Sequence, residues 1–426
     1  MRLTFHGGAR EVGRSCIEVE TSGHRLLLDC GLKITTEGTE YPIGFEDNKK
    51  AKDIDAVFIS HAHLDHTGAL PWLDHKGMDC QIYCTKGTKA LTRILLEDAF
   101  KVGKISHQHL GYEQADIKKV LNCMKRAKVL ESGTFNSEIK FEFFDAGHIP
   151  GSTTVMLESE GKRLLYTGDL KTKETLLHRA GYTDFPKIDI LICESTYGDR
   201  DHPSREKTQE RLIDAVHETL ERGGVPIIPV FAVGRAQELI MLLAKRSFGV
   251  PIYLDGMGIK VTEAALANPD SLRDAKQLEK AFARVSKIGG YKDRAAALRK
   301  GGIFVTTSGM LTGGPVLNYL KVLNKDSKNA ILLTGYQGED TNGRMLLEKG
   351  EIYIDGLKTK VGCEVKQFDF SAHDGMADLK ELVRKISPKK IIFVHGDEGA
   401  VQNMVEWAGA MGYEAYGPEL GDIIEV

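Results

Sequence analysis

"FISHAHLDHTGALP" (58–71) sets His61, His63, Asp65 and His66 within six consecutive positions, directly after the apolar run "DIDAVF". Imidazole is the commonest protein metal ligand near neutral pH. A solvated His-rich turn is the plain alternative, but so dense a local cluster rarely arises without metal. Two divalent ions about 3.5–4 Å apart need about seven ligands, one of them a bridging carboxylate. The loop offers four: along a local turn, His61 and His63 can face one ion while Asp65 and His66 face another. His148 in "DAGHIPGS", Asp169 in "LLYTGDL" and His395 in "IIFVHGD" complete seven. Each follows a strand-like run, so all can converge on one edge of a sheet, where a rigid scaffold hands residues to loops.

Outward from that loop, the chain changes character twice. Residues 1–198 read as short strands with Gly-rich turns, joined by a helix over 85–102. From 199 to 365, apolar strands such as "VPIIPV", "VPIYLD", "GIFVTT" and "NAILLTG" alternate with amphipathic helices, which predicts βαβ units and a parallel sheet. The first of these helices follows "HPSREKTQERLIDAVHETLERGG", with Ser204 as N-cap and Gly223 as stop. Residues 366–426 return to strand, His-bearing loop and helix.

The composition is that of a soluble globular protein of 426 residues, 42% hydrophobic and 27% charged. A formal charge of -3 carries no global signature of nucleic-acid binding, so an anionic partner must be held locally. Seven scattered cysteines fit a reduced, cytoplasmic protein rather than a disulfide framework, and Cys80 and Cys84 read as ordinary thiols rather than half a metal knuckle. The N-terminus lacks the pattern of a signal peptide, and no run is long and apolar enough to predict a membrane span.

"LLLDCG" with Asp29, "HAHLDH", "GHIPGS" and "TGD" resemble the four motifs of the metallo-β-lactamase fold. "CEST" with Glu194, "FSAHDG" with His373 and "VHGDE" with His395 resemble motifs A, B and C of the β-CASP nucleases, and "PVFAVGRAQEL" (229–239) is similar to a stretch in the nuclease subunit of eukaryotic cleavage and polyadenylation specificity factor. The resemblance runs from residue 3 to about 425. It implies an α/β metallo-β-lactamase αββα sandwich (1–198 and 366–426) interrupted by an inserted β-CASP domain with a parallel sheet (199–365). It also implies two Zn²⁺ per chain, the first held by His61, His63, His148 and Asp169 and the second by Asp65, His66, Asp169 and His395. Asp29 would lie behind these ligands and orient the His loop. Asp65, Glu194 and His373 would be catalytic, with His373 as general acid and Glu194 as its supporting carboxylate.

The implied activity is a metal-dependent ribonuclease that hydrolyses phosphodiester bonds of single-stranded RNA in RNA processing or decay, leaving a 5′-phosphate and a 3′-hydroxyl. His395 at motif C points to RNA, because the DNA-directed branch usually has valine there. "FSAH" at motif B leans toward the cleavage-factor type and internal cutting, with exonuclease action in addition. Ser308 in "TTSGMLTGG", Ser371, Arg235 and Arg344 are candidates for contacting RNA. No membrane partner is expected, and a homodimer is left open. The competing functions are a small-molecule metallohydrolase, which would lack the insert and the "SAH" motif, and a catalytically dead scaffold in an RNA-processing assembly, which would have lost ligands. N-terminal KH domains common in archaeal relatives are not seen, so a minimal two-domain form is expected.

Overall fold

The computed structural model describes residues 1–35 and 38–426. The chain divides into two compact units. The first comprises Met1–Glu174, Arg179–Asp201 and Ala372–Val426, and the second comprises Thr175–His178 and His202–Ser371.

Two seven-stranded sheets form the centre of the first unit. One runs, edge to edge, Ile423–Glu425, Arg2–Gly7, Cys16–Thr21, His24–Leu28, Ala56–Phe58, Gln81–Cys84 and Met124–Arg126. It is antiparallel as far as His24–Leu28 and parallel beyond it. The other runs Glu414–Tyr416, Lys390–Val394, Ile190–Glu194, Lys162–Tyr166, Thr153–Ser159, Lys140–Asp145 and Gly133–Thr134. Its first four strands are parallel and the rest antiparallel.

Side chains alternate between the two faces of a strand. Leu26 and Leu28 therefore enter the layer between the sheets while Leu27 meets helices on the outside. Likewise Ile190 and Ile192 face inward, and Leu191 and Cys193 outward. A strand covered on both faces needs apolar residues throughout, which is why "LLL" and "ILIC" show no polar alternation. Each large side chain so buried contributes roughly 1.5–3 kcal/mol. Helices Leu70–His75, Lys86–Ile105 and Gln114–Cys123 cover the first sheet; Met376–Ile386 and Glu398–Ala410 cover the second. The result is an αββα sandwich. The helix expected over 85–102 is Lys86–Ile105: Thr85 caps it by accepting from the Thr88 N–H at 3.1 Å, and Leu91, Leu95 and Leu96 form its buried stripe.

In the second unit six strands form one wholly parallel sheet, in the order Ser286–Ile288, Ile252–Asp255, Ile303–Thr306, Pro226–Pro229, Ala330–Leu333 and Glu364–Gln367. Helix Arg205–Glu221 begins at Ser204, whose hydroxyl accepts from the Lys207 N–H, and gives way at Gly223 in the left-handed region (φ 74°). Between 256 and 301 lie three helices, Gly258–Leu266, Ala275–Arg284 and Tyr291–Lys300; the second is capped by Asp274 and buries a plain stripe of Leu278, Ala281 and Phe282. The last of these buries only Ala297, so "YKDRAAALRK" has almost no apolar stripe to read. Among the described residues, no helix is long and apolar enough to cross a membrane.

Candidate metal centre and acid–base pair

Seven side chains from four loops of the first unit meet beside the ends of its strands. His61, His63, Asp65 and His66 follow Ala56–Phe58 and enter the short helix Leu64–Thr67; His148 follows Lys140–Asp145, Asp169 follows Lys162–Tyr166, and His395 follows Lys390–Val394. Close backbone approach fixes the His loop. A Cβ on Gly31 would stand 1.6 Å from the Asp65 carbonyl oxygen, so only glycine lets the strand end at Asp29 lie against residues 65 and 66.

Hydrogen bonds then turn three of the rings. His66 Nδ1 donates to Asp29 Oδ2 at 2.7 Å. Ser60 Oγ donates to the same oxygen at 2.6 Å and so accepts from His61 Nδ1 at 3.0 Å. His148 Nδ1 donates to the Ala372 carbonyl at 2.8 Å, while the Ser152 hydroxyl accepts from the His148 N–H at 3.1 Å. In each case the opposite nitrogen, Nε2, is left to face the cluster.

Around one point stand His61 Nε2, His63 Nδ1, His148 Nε2 and Asp169 Oδ2. His63 Nδ1 lies 3.1 Å from His61 Nε2 and 3.3 Å from His148 Nε2; Asp169 Oδ2 lies 3.5 Å and 3.6 Å from the same two atoms. Four atoms at such spacing surround a centre about 2 Å from each, the length of a zinc–nitrogen or zinc–oxygen bond. Beside it, Asp169 Oδ1 lies 3.4 Å from His66 Nε2 and 3.1 Å from His395 Nδ1, and Asp65 Oδ2 lies 3.4 Å from His395 Nε2. Buried His66 Nε2, His395 Nε2 and Asp169 Oδ1 have no hydrogen-bond partner among the described residues. Such orphans are costly and rare. Three of them in one cluster fit a cation, and Asp169 belongs both to the group with His61, His63 and His148 and to the group with His66 and His395.

The electrostatics agree. Burial, reinforced by neighbouring imidazoles, holds His61 and His148 well below their ordinary pKa, so both offer a lone pair. Burial alone would raise the Asp169 carboxyl, but the imidazoles of His395, His66, His373 and His61 hold it well below the carboxylate range. His66 differs: burial opposes its charge, yet Asp169, Asp65 and Asp29 push its pKa well above the ordinary value, so the carboxylates favour positive charge at that position rather than a free lone pair.

Next to this cluster, Glu194 is fully buried at the end of Ile190–Glu194. Its Oε1 accepts from the Leu170 N–H at 2.7 Å and its Oε2 from Thr196 Oγ1 at 2.6 Å. His373 Nδ1 lies 2.9 Å from Glu194 Oε2, and its Nε2 lies 3.9 Å from Asp169 Oδ2. Burial opposes protonation of His373, but Glu194 and then Asp169 outweigh it and raise the imidazole to about 9. At 19% exposure the ring is within reach of a substrate.

The four residues expected to contact RNA belong to the second unit. Arg235 is buried; its Nη1 donates to Glu238 Oε2 at 3.0 Å and its guanidinium sits 5.7 Å from the centre of the Phe370 ring, so it is engaged within the protein. Arg205 also binds Glu238 and donates to the Ser371 carbonyl at 3.0 Å, which brings Ser371 and Arg235 into one network. Ser308 donates to the Gly313 carbonyl at 3.1 Å, and Arg344 pairs with Glu348 one helical turn away. Cys80 and Cys84 are free thiols, which burial pushes up to about 12.

Two participants escaped the sequence motifs. Tyr166, fully buried, donates to Asp29 Oδ2 at 2.8 Å, and Thr196 touches both Glu194 and His395 Nδ1, the latter at 3.2 Å. Tyr166 stands in "LLYTGD" and Thr196 in "CEST", so proximity to the motifs was the available signal.

Comparison with known proteins fits this geometry. Residues 9–217 match the metallo-beta-lactamase superfamily, 236–346 the Beta-Casp domain, and 358–418 the Zn-dependent metallo-hydrolase RNA specificity domain. The Methanocaldococcus jannaschii protein named "Probable RNase MJ4" is 43% identical over the full length of both chains. The chain belongs to the metallo-beta-lactamase superfamily, in its Beta-Casp branch. Within that branch, "RNase aCSPSF2" of Saccharolobus solfataricus is 34% identical over 100% of this chain and 85% of its own length. "Transcription termination factor FttA" of M. jannaschii is 38% identical over 93% of this chain and 67% of its own length. A crystal structure of a protein of unknown function from Enterococcus faecalis shares the fold, with a TM-score of 0.60 at 16% identity over 100% of this chain and 99% of that one. Membership of this superfamily implies a metal-binding site, and the His and Asp cluster is able to hold one.

Proposed function

We propose that this Beta-Casp protein is a zinc-dependent ribonuclease that cuts single-stranded RNA internally. The observation that carries the reading is the Glu194–His373 pair set against a His and Asp cluster able to hold metal. The names of its full-length relatives, two of them RNases, support it. His61, His63, His148 and Asp169 would hold one zinc ion, and Asp65, His66, Asp169 and His395 the other. When bound, the pair supplies an acidified water and compensates negative charge on a phosphodiester.

The chain's own residues do the rest. Asp29 keeps His66 turned toward its ion through Nδ1 and, through Ser60, does the same for His61. Hydrolysis that leaves a 3′-hydroxyl expels the ribose 3′-oxygen, which needs a proton. His373 Nε2 donates it. Glu194 binds Nδ1, fixes the ring and favours the protonated form from which donation starts. An imidazole paired with a buried carboxylate beside the metal cluster suits an alkoxide, which departs poorly without a proton, better than it suits the thiolate of a thioester, which departs unaided.

The test uses one RNA labelled at either end, with zinc and with chelator. Internal fragments that vanish on chelation are expected. His373→Ala should retain its metal and lose roughly 10²–10⁴ in cleavage rate, the usual contribution of a positioned acid. The loss should nearly disappear on a nitrophenyl phosphodiester, whose leaving group departs without a proton. Normal RNA cleavage by His373→Ala would remove the acid from the mechanism, and cleavage unaffected by chelation would remove the metal.

A further inference from the structure

Lys171 is a buried cation two residues beyond Asp169, with only 8% of its surface exposed. A buried ammonium survives only where it is paired and hydrogen-bonded. Lys171 spends both interactions on the segment that carries His373. Its Nζ donates to the His373 main-chain carbonyl at 2.8 Å and lies 3.5 Å from Asp374 Oδ1. Asp374 is itself fully buried. Its carboxylate accepts from the Thr172 N–H at 3.0 and 3.1 Å, and its own N–H donates to the Leu170 carbonyl at 3.0 Å. The other side of residues 170–172 is equally tied down. The Leu170 N–H donates to Glu194 Oε1 at 2.7 Å, and the Lys171 N–H donates to the Ala146 carbonyl at 2.8 Å. Residues 170–172 thus hold the main chain of His373 and Asp374, and the same short stretch holds the carboxylate that orients the His373 ring.

We propose that Lys171, with Asp374 as its counter-charge, is a positioning residue for proton donation: it fixes the backbone of His373 so that Nε2 stands at the leaving oxygen. Glu194 sets the rotation of the ring, and Lys171 sets where the ring is attached. The segment 372–375 has no helix or strand to do this. The inference rests on the acid role given to His373 above. An acid displaced by about 1 Å loses on the order of 10²-fold in rate, so the lock is worth a similar factor.

Lys171→Met keeps the stem and removes the charge. It should lower kcat on RNA by roughly 10–10²-fold with KM and zinc content unchanged, and leave turnover of bis(nitrophenyl) phosphate near that of the parent. Combined with His373→Ala it should cost nothing further, since both act through one proton transfer. Because Lys171→Met leaves Asp374 buried and unpaired, Lys171→Met/Asp374→Asn is measured as well; it removes both charges and should show the same selective loss on RNA. Equal losses on RNA and on the nitrophenyl ester, losses that add to those of His373→Ala, or an undiminished kcat would overturn the positioning role. Should His373→Ala alone cleave RNA normally, the acid reading falls and the inference with it. If only Lys171→Met is silent, the acid stands and the lock does not.

Discussion

Replacing Asp29 by Asn removes one acceptor oxygen and one charge while leaving the shape almost untouched. Asp29 sits in the left-handed region at φ 61°, which Asn enters as readily as Asp, so the backbone has no reason to move. Oδ1 accepts from the Ser60 N–H at 2.7 Å; Oδ2 accepts from Ser60 Oγ, His66 Nδ1 and Tyr166 Oη at 2.6, 2.7 and 2.8 Å. With the amide oxygen in place of Oδ2, the NH₂ group faces the Ser60 N–H, donor against donor. In the opposite orientation three donors lose their acceptor. The cheaper arrangement still strands one buried N–H, which costs about 1–3 kcal/mol of folding stability. It also takes the negative charge away from His66 Nδ1–H, and partners of this kind typically contribute 10–100-fold in metal affinity. Chelator competition on Asp29→Asn should show one zinc ion weakened by that factor and the other, the one proposed at His61, His63 and His148, within about threefold of the parent. Urea unfolding should show the stability loss in parallel. Equal weakening of both ions, or of neither, would refute the view that Asp29 acts mainly through His66.

Asp169→Ala should lose both ions in metal analysis, since Asp169 touches both clusters, whereas Asp65→Ala should lose chiefly one. Matched RNA and DNA oligonucleotides should be cut at very different rates, with RNA preferred, and binding should weaken with salt less steeply than for a strongly basic protein, because the net charge is -3. Burial holds the His178 imidazole down to about 4, against the opposing pull of Glu238. Unfolded, it would titrate near 6.5. Its folded-state pKa is depressed, so stability is full above about 6.5 and falls by about 3 kcal/mol as pH drops to about 4. His178→Gln should flatten that part of the urea-stability profile, and an unchanged slope would contradict the assignment.

Much of the cluster was legible because its candidate ligands sit in short motifs beside strands that are apolar on both faces. The loop 61–66 needs no long-range information to suggest a cation. Its supports do need it. Tyr166 meets Asp29 across 137 positions of chain, and Lys171 meets His373 across 202. A tyrosine at a strand end and a lysine in "GDLKTK" look like ordinary core and surface residues until the chain is folded. Arg235 shows the converse. An arginine in "AVGRAQEL" invites a phosphate, but it is buried and Glu238 one turn on already pairs with it within its own helix. The attachment of Thr175–His178 to the second unit left no mark either, since four residues carry no period.

The parallel pairing of Ile190–Glu194 with Lys390–Val394 joins strands on either side of His202–Ser371, the main stretch of the second unit. This has a consequence for synthesis. A nascent chain that has emerged only through Glu194 already carries three histidines and Asp169 for one ion, yet His373 and His395 are still to be translated. On the roles proposed above, metal can be acquired early, while His373 and His395 arrive only when the closing strand slots in beside Glu194. Cutting competence is thereby withheld from every partly made copy, and a ribosome is not exposed to a working nuclease tethered beside its own message.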